Sequence, residues 1–166
     1  MDQQKVTLLV MLDLSAAFDT VDIDILNDIF LNRLELGGPV VNWFNTYLRN
    51  SNQKVCVNGV ISSERSVKFG ALQGSCAGPV VFLGYLSSLY DVINSHLPNV
   101  RVGGYADDHQ LYLAYSAGDK DLEVEMVKKL EDCISDVRQW MLRHRLKIND
   151  SRTEVMILGT QAQIAK

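Results

Sequence analysis

Apolar side chains fill Val6–Leu14 almost without a break, interrupted only by Thr7 and Asp13. A run that short and that rich in β-branched and leucine residues predicts a strand buried on both faces. Downstream the period changes. Ile25, Ile29, Phe30 and Leu34 recur at helical spacing behind Asp24, the expected cap, and Gly37-Gly38-Pro39 stops the helix. Pro39–Arg49 predicts a second helix with Trp43, Phe44, Tyr47 and Leu48 on one side. In Lys54–Ile61 the Asn58-Gly59 pair between apolar residues predicts a hairpin.

Pro79 suits the first turn of a helix reaching about Asn94, apolar nearly all round and therefore central. Val100–Tyr115 predicts two strands flanking Ala106-Asp107-Asp108-His109. A long amphipathic helix is expected over Asp119–Arg145, then a turn at Asn149-Asp150-Ser151 and a last strand, Glu154–Leu158. With residues 24–69 set aside as an insertion, the order is strand, helix, strand, strand, helix, strand. That is the α+β, ferredoxin-like split βαβ arrangement, an antiparallel sheet with helices on one face. The expectation is a single domain over 1–166, in which Asp13 can meet Asp107 and Asp108.

Composition narrows the classes. The chain has 166 residues, 47% hydrophobic and 22% charged, which fits one globular domain and excludes disordered or fibrous chains. A net charge of −4 gives no overall basic signature of a free-standing nucleic-acid binder. Cys56, Cys76 and Cys133 are odd in number and widely spaced, against a disulfide framework or zinc site and in favour of a reducing, intracellular compartment, cytoplasm or nucleus. The longest nearly apolar stretch, Ala77–Leu86, is far short of the ~20 residues that span a bilayer, so no membrane partner is expected.

Asp13, Asp107 and Asp108 each end a run that favours burial. Adjacent carboxylates repel unless something positive neutralises them, and Mg²⁺ does so with oxygen ligands and substrate phosphates. An Asp-Asp pair at a hairpin is also ordinary turn chemistry, so the dipeptide alone leaves both readings open.

Four segments in order decide more. Leu12-Asp13-Leu14-Ser15-Ala16-Ala17-Phe18-Asp19-Thr20-Val21-Asp22 resembles the first palm motif of reverse transcriptases from non-LTR (LINE-type) retrotransposons. Gly70-Ala71-Leu72-Gln73-Gly74-Ser75-Cys76-Ala77-Gly78-Pro79 is similar to the second, Tyr105-Ala106-Asp107-Asp108 to the third, and Leu146-Lys147-Ile148-Asn149 through Arg152-Thr153-Glu154 to the fourth.

The resemblance implies a palm with partial fingers, the catalytic core of an RNA-directed DNA polymerase. It implies two Mg²⁺ ions, with Mn²⁺ a substitute, and an RNA template, a DNA primer and dNTP as partners. Asp13 and Asp107 would be the principal metal ligands and Asp108 a third. Phe18 would be the gate against the sugar 2′ position, Gln73 and Gly74 would line the nucleotide and template pocket, and Tyr105 would pack beneath the primer terminus. Leu72 replaces the family's usual proline. Arg152 replaces the usual lysine and is a poor general acid, which leaves Lys147 as the nearest substitute.

His109 stands where many relatives carry threonine and is expected as an exposed strand residue rather than a ligand. Only twelve residues precede Asp13 and seven follow Gly159. The resemblance therefore implies that full fingers, thumb and endonuclease lie elsewhere in a retroelement polyprotein, and that this segment alone polymerises little. Alternatives are a truncated, inactive remnant serving as a binding module, and a palm-type nucleotide cyclase, against which Phe18 and Gln73-Gly74 argue.

Overall fold

The computed structural model describes residues 5–49, 51–71, 74–98, 100–105 and 107–164. Strand β1 (Lys5–Leu12) leads through a 3-10 turn, Ala17–Thr20, to α1 (Ile23–Asp28), a π-type turn at Ile29–Arg33 and α2 (Pro39–Arg49). Four two-residue strands follow: β2 (Asn52–Gln53), β3 (Cys56–Val57), β4 (Val60–Ile61) and β5 (Arg65–Ser66). Then come α3 (Gly78–Tyr85), α4 (Leu89–His96), β6 (Arg101–Tyr105), β7 (Asp108–Ser116), α5 (Lys120–Arg143), β8 (Glu154–Leu158) and α6 (Gln161–Ile164). The described residues up to Ser15, with those from Ser87 onward, form one compact unit, and those of Ala16–Leu86 form another. The expected insertion, 24–69, lies inside the second.

In the first unit β6, β7, β1 and β8 form one antiparallel sheet in that order, the strand order of a ferredoxin-like split βαβ fold. Along β7, His109, Leu111, Leu113 and Tyr115 are buried and alternate with Asp108, Gln110, Tyr112 and Ala114 on the other face. That alternation has a strand's period of two and means one face is covered while the other is open. The cover is α4 and α5, whose buried positions include Leu89, Ile93, Leu130, Cys133, Val137 and Met141. Asp119 begins α5 by accepting from the Leu122 amide at 3.0 Å. Trp140 Nε1 donates to Ser88 Oγ at 3.1 Å, and His96 Nε2 lies 2.8 Å from an Asp136 oxygen. Burial pushes the Cys133 thiol up to about 11, so it stays protonated and inert.

The helix expected over Pro79–Asn94 is two helices. It breaks at Leu86–Ser88, where the Ser88 hydroxyl accepts from Trp140 and makes no cap bond to α4. The cap of α1 is Asp22, not Asp24: its carboxylate accepts from the Asp24 and Ile25 amides at 2.9 and 3.3 Å. The Asn58-Gly59 hairpin joins β3 to β4 as expected, and the last strand has the expected bounds.

In the second unit the Asp22 amide donates to the buried Tyr85 hydroxyl at 3.3 Å, and Phe18 stacks on Phe82 at 4.6 Å. Gly70 closes the segment: its amide donates to the Val21 carbonyl at 2.8 Å, and the next amide donates to the Phe18 carbonyl at 2.7 Å. Its φ is +97°, and a Cβ there would lie 3.1 Å from backbone atoms of Phe18 and Asp19. Backbone cannot swing aside as a side-chain tip can. Gly70→Ala is therefore expected to cost about 1–3 kcal/mol of unfolding free energy, read as a lower urea midpoint at unchanged slope.

Candidate active site

Two strand ends build the site. Leu12 pairs with His109 and Tyr105 with Asp108, so Asp13 and Asp108 emerge at the same end of adjacent strands. Both line one hollow of about 430 Å³, with Ser151, Arg152 and Glu154 among its other walls. The turn before β8 supplies those walls and also secures Asp13. Asn149 Nδ2 donates to Asp13 Oδ2 at 2.9 Å, and the Asn149 amide donates to the Asp13 carbonyl at 2.9 Å. Ser151 Oγ donates to Asn149 Oδ1 at 2.7 Å, and Thr153 Oγ1 to its carbonyl at 3.0 Å. Asn149 is thus held at both ends while it holds the aspartate. Arg138 pairs with Asp150 at 2.6 Å and keeps that carboxyl below its usual range, linking the same turn to α5.

Asp107 lies in the hairpin turn, half-buried and outside the lining of the hollow. Asp107 precedes β7, in the turn, and Asp108 is that strand's first residue. Among the described residues no group of three or more His, Cys, Asp or Glu side chains could by itself hold a metal ion. The expected triad therefore resolves into Asp13 and Asp108 at the hollow and Asp107 beside it. Two carboxylates still suit Mg²⁺, a hard cation that binds one or two of them and takes its remaining ligands from phosphate and water.

His109 is not the exposed strand residue expected. It is 2% exposed, on the covered face of β7. Burial holds its imidazole below the ordinary value, against the opposing pull of the Asp107 carbonyl and the two aspartates. Nδ1 donates to the Asp107 carbonyl at 3.3 Å and Tyr90 packs against the ring, with centroids 6.2 Å apart. Gly104 lets them meet: a Cβ there would lie 2.9 Å from the Tyr90 hydroxyl and 3.4 Å from the imidazole.

The remaining expected residues are dispersed. Tyr105 is 85% exposed at the hairpin mouth. Lys147 is exposed, and its carbonyl accepts from the Ser15 amide at 2.9 Å. Phe18 and Gly74 belong to the second unit, Phe18 half-buried against Phe82 and Gly74 exposed at φ +77°. Gln73 and Leu72 lie outside the described residues, as does Ala106. Sequence reasoning passed over Asn149 as a turn residue, although its place in the fourth motif was a signal for it. Glu154, the last residue quoted for the same motif, was given no role there and lines the hollow.

A reverse transcriptase (RNA-dependent DNA polymerase) family model matches residues 1–164, nearly the whole chain. The chain belongs to this family. No curated protein sequence matches it. The reverse transcriptase fold recurs in apo telomerase from Candida tropicalis truncated from its C-terminal domain, at TM-score 0.69 and 13% identity, over 95% of this chain and 32% of that one. Telomerase from the same organism in complex with a fragment of telomeric RNA gives 0.68 and 13%, over 96% and 27%. This reverse transcriptase chain thus spans about a third or less of those telomerases. Among its described residues no helix is long and apolar enough to cross a membrane.

Proposed function

We propose that the protein is the catalytic core of an RNA-directed DNA polymerase of the non-LTR retrotransposon type. It adds deoxynucleotides to a DNA primer on an RNA template, inside the cell, alongside other parts of the element's polyprotein. The observation that carries the reading is the hollow shared by Asp13 and Asp108, acids from distant parts of the chain.

Asp13 and Asp108 would hold the Mg²⁺ ions, with Asp107 alongside. When bound, such ions neutralise the triphosphate, favour ionisation of the attacking hydroxyl and stabilise the leaving oxygen of an in-line displacement. This chain's residues do the rest. Asn149 fixes the direction of the Asp13 carboxylate. Arg152, on the wall of the hollow, offers a permanent positive charge to phosphate oxygens but no readily released proton. Lys147 is exposed in the segment leading into the same turn. Tyr105 presents a bare ring to the last primer pair. By family likeness Phe18 selects against a 2′-hydroxyl, and Gln73 with Gly74 receives nucleotide and template.

The test is Mn²⁺ titration of isotopically labelled protein with dNTP. Amide signals around Asp13 and Asp108 are expected to broaden first, and Asp108→Asn to abolish that pattern. Broadening centred elsewhere sinks the reading. In primer extension on a ribonucleotide template, Phe18→Val is expected to raise ribonucleotide over deoxynucleotide incorporation. An unchanged ratio removes Phe18 from the gate.

A further inference from the structure

The open face of the sheet does not end at the acids. Four to eight residues back along β1, at roughly 14–27 Å for ~3.4 Å per residue, a second hollow of about 620 Å³ is lined by Lys5, Thr7, Arg101, Tyr112 and Ala114. Register puts all five on the uncovered face: Thr7 opposes Ala114 and Arg101 opposes Tyr112, between the rows whose side chains are buried. Two of the five are cations, two carry hydroxyls and none is acidic, in a chain of net charge −4. Lys5 and Arg101 are exposed.

Lys5 lies opposite Ser116 and Arg101 opposite Tyr112, so the two cations are offset by four residues and two strands. That is about 16 Å between backbone positions. Such a spread suits two phosphates of one backbone better than a single anion. Nucleic acid carries one phosphate per ~3.4 Å of each strand, so about four to eight nucleotide steps separate the two cations from Asp13 along the face.

We propose that Lys5 and Arg101 form a second, basic subsite that clamps the phosphate backbone of the template–primer duplex about four to eight base pairs behind the reacting end. The inference rests on the polymerase reading and adds a contact that fixes duplex register. The acidic end of the face repels the backbone and needs cations; the basic end attracts it directly.

The test compares wild type with the double variant Lys5→Gln, Arg101→Gln, using fluorescence anisotropy of an RNA–DNA hybrid of roughly 12 base pairs across roughly 50–200 mM KCl without divalent ions. Each phosphate contact contributes about 0.9 to the salt slope, so the variant should lose about 1.8 of it. Over that range wild type should then lose about 12-fold more affinity than the variant. Lys128→Gln, on α5 behind the sheet, should leave the slope as it is. Equal slopes for wild type and double variant overturn the proposal. Wild-type affinity for inorganic phosphate alone, removed by the double substitution, also overturns it and makes the hollow a free-anion site. Mn²⁺ broadening at Asp13 and Asp108 separates the failures: if it persists while the slopes are equal, only the clamp is wrong. If broadening and hybrid binding are both missing, the polymerase reading falls too.

Discussion

Asp13→Asn is expected to lower Mg²⁺-dependent single-nucleotide addition by about 10³-fold or more, some 4 kcal/mol of transition-state stabilisation. The substitution isolates charge from shape. An asparagine oxygen at position 13 can still accept from Asn149 Nδ2, where the aspartate accepts at 2.9 Å, and the Asn149 amide still reaches the backbone carbonyl of residue 13. The turn should therefore survive while the carboxylate is lost. Single-turnover rates with enzyme in excess measure the chemical step and avoid dependence on processivity. Asn149→Ala provides the graded comparison. It leaves the charge but frees its direction, and groups that orient a metal ligand are typically worth about 10–100-fold. A rate for Asp13→Asn within tenfold of wild type would remove Asp13 from the chemistry. Equal losses for both variants would instead mean that the turn, rather than the charge, is what counts.

What could be read in advance followed periodicity. The strict alternation in β7 has one solution in a sheet with one covered face, whereas the apolar run of β1 predicted burial on both faces and Thr7 and Met11 are only half-buried on the open one. The acids at positions 13 and 108 met because those strands had to be neighbours. Features set by a single hydrogen bond were not legible. Asp22 and Asp24 are equally good caps on paper, and only the direction of the incoming chain selects Asp22. The break between α3 and α4 falls at Ser87-Ser88 inside a mostly apolar stretch, where pattern alone favours continuity. His109 was misplaced for a clearer reason. Polarity suggested exposure, but parity along β7 puts it on the same side as Leu111 and Leu113, and Tyr90 and Gly104 leave room for it. Parity outranked polarity.

Leu111→Ala should lower unfolding free energy by about 2–5 kcal/mol. Leu111 is fully buried, opposite Val10 on one side and Val102 on the other, and Val10 is itself fully buried. Removing three carbons there leaves a void that a hydrogen-bonded sheet cannot close by moving one strand. Against a typical total of about 5–15 kcal/mol, that is a large fraction. At roughly 2–4 °C per kcal/mol for a chain of this size, the melting temperature should fall by about 4–20 °C. Ala114→Ser is the counterpart on the same strand: its side chain is on the uncovered face, and its effect should stay within about 0.5 kcal/mol. The pair tests more than packing. Leu111 and Asp108 are three residues apart and so on opposite faces of β7, and a slip of one residue in register would exchange those faces. Should Ala114→Ser destabilise as much as Leu111→Ala, the parity of β7 is reversed. Asp108 would then point into the helices, not into the hollow with Asp13.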